Sequence, residues 1–121
     1  INPFCTFGLK SSKKMKSKSK LQIIEAAGVT FSRFGFKKTT MDEIAVGARK
    51  GKSSLYYYFK SKEEVYKAVV ELEASTLRNL ILNAVNDVDD TKEKLRKYIV
   101  TRMVGFKKMR NFYVAIKDDY L

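Results

Sequence analysis

Between Gly51 and Lys62 the chain gathers side chains suited to touching a polyanion: Lys52, Ser53, Ser54, Tyr56, Tyr57, Lys60 and Lys62. A lysine at a helix start reaches base edges or phosphates, small hydroxyls allow close approach, and tyrosines add flat faces and phenolic donors. A helix N-terminus behind a glycine draws phosphate as well. Hydrolytic chemistry has no such footing. The chain holds no histidine and one cysteine, Cys5. That excludes Ser/His/Asp and Cys/His nucleophiles, an internal disulfide and a Cys/His zinc site. No acid and base pair stands out for catalysis, so the chain is expected to be no enzyme and to need no cofactor or metal.

Charge sharpens this reading. The 121 residues carry 25 Lys+Arg against 13 Asp+Glu, a formal +12. Residues 1–62 hold 14 basic and three acidic residues, net +11, whereas residues 63–121 hold 11 and 10, net +1. A polyanion therefore faces the first half. Nucleic acid is the leading candidate; no apolar run is long enough to span a bilayer, and the lysines follow the apolar opening INPFCTFGL, the reverse of a secretory signal. A cytoplasmic location without membrane association is expected.

Helices must position these groups. Residues 10–20 hold six lysines among serines, so residues 1–19 read as a disordered basic tail, either solvated or acting as a minor-groove arm. Order is expected from Ser19, which forms a capping box with Gln22. A first helix over about 20–34 follows, carrying Leu21, Ile24, Phe31 and Phe34 with Ile23 and Ala27, and Gly35 ends it. Thr40 and Glu43 cap a short second helix whose buried side is Met41, Ile44, Ala45 and Ala48. Arg49-Lys50-Gly51 is a tight turn. A third helix, about 52–59, buries Leu55 and Phe59 and turns Lys52, Ser53, Tyr56 and Tyr57 the other way. Ser61 and Glu64 open a long fourth helix with a wide apolar stripe, broken at residues 86–90. A fifth starts at Thr91 and a sixth near Asn111. No strand pattern occurs, so the fold class is all-α: a helix-turn-helix unit over 20–62, then the start of a helical ligand-binding and dimerisation domain over 63–121. The helical pattern still running at KDDYL suggests a piece of a longer protein, and Met15 is a candidate native start.

Two short helices joined by a three-residue turn, between longer ones, form the helix-turn-helix arrangement whose second helix enters the major groove. Here the sequence resembles the TetR family of bacterial transcriptional regulators. The resemblance runs from about Lys20 to Val70 on IIEAA, Phe31, Gly35-Phe36, Thr39-Thr40, Ile44-Ala45 and SSLYYYFKSKEE. It implies phosphate contacts from Thr39 and Thr40, base-proximal positions at Lys52, Ser53, Ser54 and Tyr57, and phosphate contacts from Tyr56, Tyr58 and Lys62. Thr40 is equally explained as an N-cap, and Tyr58, beside Leu55 and Phe59, as core. The turn departs from the family pattern: Ala48-Arg49-Lys50-Gly51 stands where Ala-Gly-Val-Ser is more usual.

The resemblance also implies a homodimer on double-stranded DNA and an unknown small-molecule effector in the full-length protein; the present chain could be monomeric. Tyr98, Met103, Phe106 and Met109 either line an effector pocket or pack as ordinary core at helical spacing. The expected function is sequence-specific regulation, most simply ligand-responsive repression at a palindromic operator read by helix three. Two alternatives stand beside it: a DNA-localised interaction protein of the nucleoid-occlusion type, and an unspecific basic binder of nucleic acid or anionic surfaces.

Overall fold

Gly35 adopts φ 81°, a left-handed conformation that only glycine takes without strain, and so stops the first helix where the sequence predicts. The computed structural model describes residues 12–120, with the side chains of 18–115, 117 and 118. Six helices follow one another: α1 Ser12–Phe34, α2 Met41–Gly47, α3 Lys52–Tyr58, α4 Lys62–Asn86, α5 Thr91–Lys108 and α6 Arg110–Tyr120.

The start of α1 corrects the sequence reading. Helix already covers residues 12–19, so Ser19 lies inside α1 instead of capping it. Lysine is a good helix former, and prolonging a helix that packing has nucleated needs no apolar stripe of its own. Residues 1–11 of the expected tail, with Cys5, lie outside the described residues.

Capping was more legible. Thr40 accepts from the Glu43 amide at 3.2 Å and Glu43 returns a bond to the Thr40 amide at 2.9 Å, a complete capping box. Ser61 accepts from the Glu64 amide at 3.3 Å, but the Glu64 carboxylate reaches past Ser61 to the Lys60 amide at 2.9 Å. Asp90 caps α5 through the Glu93 amide.

Ile23, Ala27 and Phe31, four residues apart, bring one face of α1 onto Ile44 and Ala45 of α2, Leu55 and Phe59 at α3, and Val65 and Val69 of α4. This core alone fixes where α3 sits. Phe34, expected on the buried stripe, is half exposed at the helix end. Phe31, Phe36 and Tyr66 pack together with ring centroids 5.0 to 5.9 Å apart, Phe31 stacked on Phe36 and edge to face with Tyr66, closing the α1–α2 loop over α4.

The long α4 packs on α1 at one end and on α5 and α6 along its length. Gly105 of α5 is buried against Leu77 of α4, so close that a β-carbon there would overlap the leucine side chain. On the outer side of α5, Leu95, Ile99 and Met103 are exposed.

Candidate nucleic-acid interface

The turn between α2 and α3 closes by two backbone bonds, Arg49 N to Val46 O and Lys50 N to Ala45 O, each 3.0 Å. This is a Schellman arrangement, and it requires a left-handed residue directly after the C-cap, Ala48. Arg49 fills that place at φ 55°. Gly51, two positions later, has ordinary extended geometry at φ −69° and serves as the N-cap of α3 without a side-chain bond. The turn thus keeps its shape although its glycine is displaced.

With Leu55 and Phe59 buried, α3 presents Lys52, Ser53, Tyr56 and Tyr57 to solvent, Tyr57 at 66% exposure. Ser54 is half-buried. Tyr58 is half-buried against the core and meets the Tyr57 ring edge to face at 5.0 Å. The Lys52 ammonium lies 3.1 Å from Asp42 Oδ1 in the first turn of α2. That hydrogen bond, then the nearby carboxylate charge, holds the lysine above its ordinary pKa. Lys60 is exposed beyond the helix end.

Two expected phosphate contacts are placed differently. Thr39 is 1% exposed, and its hydroxyl donates to the Gly35 carbonyl at 2.8 Å. Its role in this fold is to tie the loop, whereas its neighbour Thr40 is exposed at the N-cap of α2. Lys62 bends back over the Phe36 ring, 4.4 Å from its centroid, and donates to the Phe36 carbonyl at 2.8 Å and the Lys37 carbonyl at 3.5 Å. A half-buried lysine so engaged braces the α1–α2 loop.

The structure also adds neighbours that the sequence reading passed over. Lys50 Nζ lies 3.5 Å from Ser19 Oγ, and Lys20 Nζ lies 5.5 Å from the Phe59 ring centroid, so the lysine-rich start of α1 borders the turn and the end of α3. Asp42 is the other addition. Ten residues separate it from Lys52, and no helical or strand period links that spacing. In the sequence Asp42 counts only as one of the three acids of residues 1–62.

Of the four suggested effector-pocket residues, two converge. Tyr98 and Phe106 line a cavity of about 330 Å³ between α4, α5 and α6, with Leu77, Ile81, Arg102 and Phe112. Met103 is 63% exposed on the opposite side of α5. Met109 is 5% exposed at the α5–α6 elbow, as core, and lines no part of that cavity. Helical period grouped these residues; the rotation of α5 divides them. Among the described residues no cluster suited to a metal ion occurs, and no helix is long and apolar enough to cross a membrane.

Short capped helices around an exposed basic and aromatic α3 define a helix-turn-helix protein. Residues 23–69 match the family described as bacterial regulatory proteins, tetR family. It is 47% identical over 47 residues to the HTH-type transcriptional regulator YhgD of Bacillus subtilis, covering 39% of this chain and 25% of that protein. It is 34% identical over 78 residues to IcaR of Staphylococcus aureus, a negative transcriptional regulator of the biofilm operon icaADBC, covering 64% of this chain and 42% of IcaR. A solved TetR-like transcriptional regulator from Rhodococcus sp. RHA1 superposes with a TM-score of 0.68 at 29% identity, over 78% of this chain and 52% of that one. The chain thus spans less than half the length of these two curated relatives, and about half of the solved one.

Proposed function

We propose that the protein is a sequence-specific DNA-binding transcriptional regulator, a ligand-responsive repressor acting in the cytoplasm. The observation that carries this reading is the outward face of α3. Lys52, Ser53, Tyr56 and Tyr57 project from a helix whose opposite side is locked into the core by Leu55 and Phe59. Such a helix docks in a major groove as a rigid body, its N-terminal residues at base edges. Exposed Thr40 and Lys60 flank it as phosphate contacts. The IcaR similarity supports repression as the sign of regulation.

Two copies in a homodimer would set their α3 helices in successive major grooves, about 34 to 36 Å apart, on an inverted repeat. An effector can act only by binding one helix separation better than another. The cavity lined by Tyr98 and Phe106 touches α4 directly, so an occupant there can shift the helix on which the reader is mounted.

Selection of bound sequences from a random DNA pool with the full-length protein tests the reading. An inverted repeat with half-sites one turn apart is the expected result, and recovery of unrelated sequences would refute it. About eight phosphates neutralised per dimer would give a log-log salt slope near −7.

A further inference from the structure

A second cavity, of about 410 Å³, lies where the reader meets the rest of the chain, between α1, α4 and the end of α5. Its volume falls in the range of small-molecule sites. Ile24 and Val29 of α1 and Val69 and Leu72 of α4 give it apolar walls. Its polar groups are unevenly served. Glu25 is half-buried in the wall and has no hydrogen-bond or ion-pair partner among the described residues. Burial accordingly raises its carboxyl pKa. Glu73, also in the wall, accepts from the Asn111 amide at 3.0 Å and the Phe112 backbone N–H at 2.7 Å, yet no cation among the described residues pairs with it.

The Asn111 side chain is 3% exposed, and its nitrogen faces three acceptors: Gly28 O at 2.9 Å, Ser32 Oγ at 3.1 Å and Glu73 Oε1 at 3.0 Å. A primary amide has two hydrogens, so the three share them, with the Ser32 hydroxyl supplying a hydrogen of its own and the Phe112 N–H also serving Glu73. Gly28, Ser32 and Glu73 all border the cavity. Two carboxylates that make no ion pair among the described residues thus line one apolar space. The complementary ligand carries positive charge and several N–H donors on an apolar body.

We propose that this cavity binds a small organic cation of the primary-ammonium class, its N–H donors shared between Glu25 and Glu73 and its apolar part against Val29, Val69 and Leu72. Arg33 and Lys108 stand exposed at the rim, with Arg33 lying over the Phe34 ring at 5.5 Å. They would draw the opposite charge, so the choice between the two is measurable. Because Glu73 also holds α6 through the Phe112 amide, an occupant is sensed where α1, α4 and α6 join.

The test is calorimetric titration of the full-length protein with three isosteric probes, 4-phenylbutylamine, 4-phenylbutanol and 4-phenylbutyrate. The amine should bind about tenfold or more tightly than the other two. Glu25→Gln should remove that advantage without lowering the melting temperature. Equal or tighter binding of the alcohol or the carboxylate overturns the proposal, as does an amine affinity unchanged in Glu25→Gln. Absence of saturable amine binding up to about 10 mM overturns it too. No DNA is present, so failure here leaves the reading of α3 intact, and failure of the DNA selection leaves this cavity's chemistry standing.

Discussion

Lys52 at the start of α3 is held 3.1 Å from Asp42 at the start of α2, so under the proposed function the first cation of the α3 face would meet DNA already paired. An exposed pair of this kind contributes little to folding, but it withholds one positive charge from any phosphate that passes. Asp42→Asn should therefore raise affinity for non-operator DNA, steepen the salt slope by about 0.9 for the phosphate gained, and narrow discrimination. Lys52→Ala should alter base preference with an unchanged melting temperature. Binding measured across a salt series on operator and random DNA checks both.

Arg49 and Gly51 appear exchanged relative to what their positions need. Arg49 occupies the left-handed C′ place that glycine fills without strain, and Gly51 occupies an N-cap place that a hydroxyl side chain serves better. Arg49→Gly should stabilise the fold by about 1 kcal/mol. Gly51→Ser should add a few tenths, since space around its α-carbon is open. Urea denaturation of the two variants and their combination tests this.

Thr39 and Thr40 should separate cleanly. Thr39→Val removes a buried hydroxyl and its bond to the Gly35 carbonyl, which keeps the backbone N–H of residue 39 as donor, at a cost of about 1 kcal/mol, and should leave the salt slope of DNA binding unchanged. Thr40→Ala loses the cap of α2, also about 1 kcal/mol, and should lower DNA affinity as well. Thermal unfolding and binding isotherms together distinguish the two roles.

Asn111 joins α6 to α1 and α4, and the apolar Met109 before α6 has no side-chain acceptor to cap it. Glu73 supplies that cap from α4. Asn111→Ala should cost about 2 kcal/mol, because it removes the part-buried hydrogen bonds to Gly28 O, Ser32 Oγ and Glu73 Oε1. Hydrogen exchange should quicken first in the opening turn of α6, and a uniform loss of protection would contradict the arrangement.

Glu25 gives a pH signature. Its carboxyl pKa is raised above the ordinary 4.5 by burial, so the folded state holds the proton more tightly than the unfolded chain. Its contribution to stability therefore falls as pH rises from the unfolded value through the raised folded one, and levels off above. Glu25→Gln should abolish that component and be at least as stable as the parent at neutral pH. The difference between their melting temperatures across the weakly acidic range measures it.

The sequence by itself determined the helices, their caps at Thr40 and Ser61, the stop at Gly35, and the outward face of α3. Each depends on neighbours within four residues, where helical geometry converts spacing directly into position. Tertiary structure decided what pairs across distance. It turned Thr39 inward, bent Lys62 over Phe36 and brought Asp42 to Lys52; it sent Met103 and Met109 away from Tyr98 and Phe106. It also joined Asn111 to Gly28, 83 residues earlier. Those outcomes follow from how helices rotate and cross when their apolar faces are packed together, and no local period encodes that rotation. The +11 of the first half is what suggests a polyanion partner, and only the fold shows which of its lysines are already occupied.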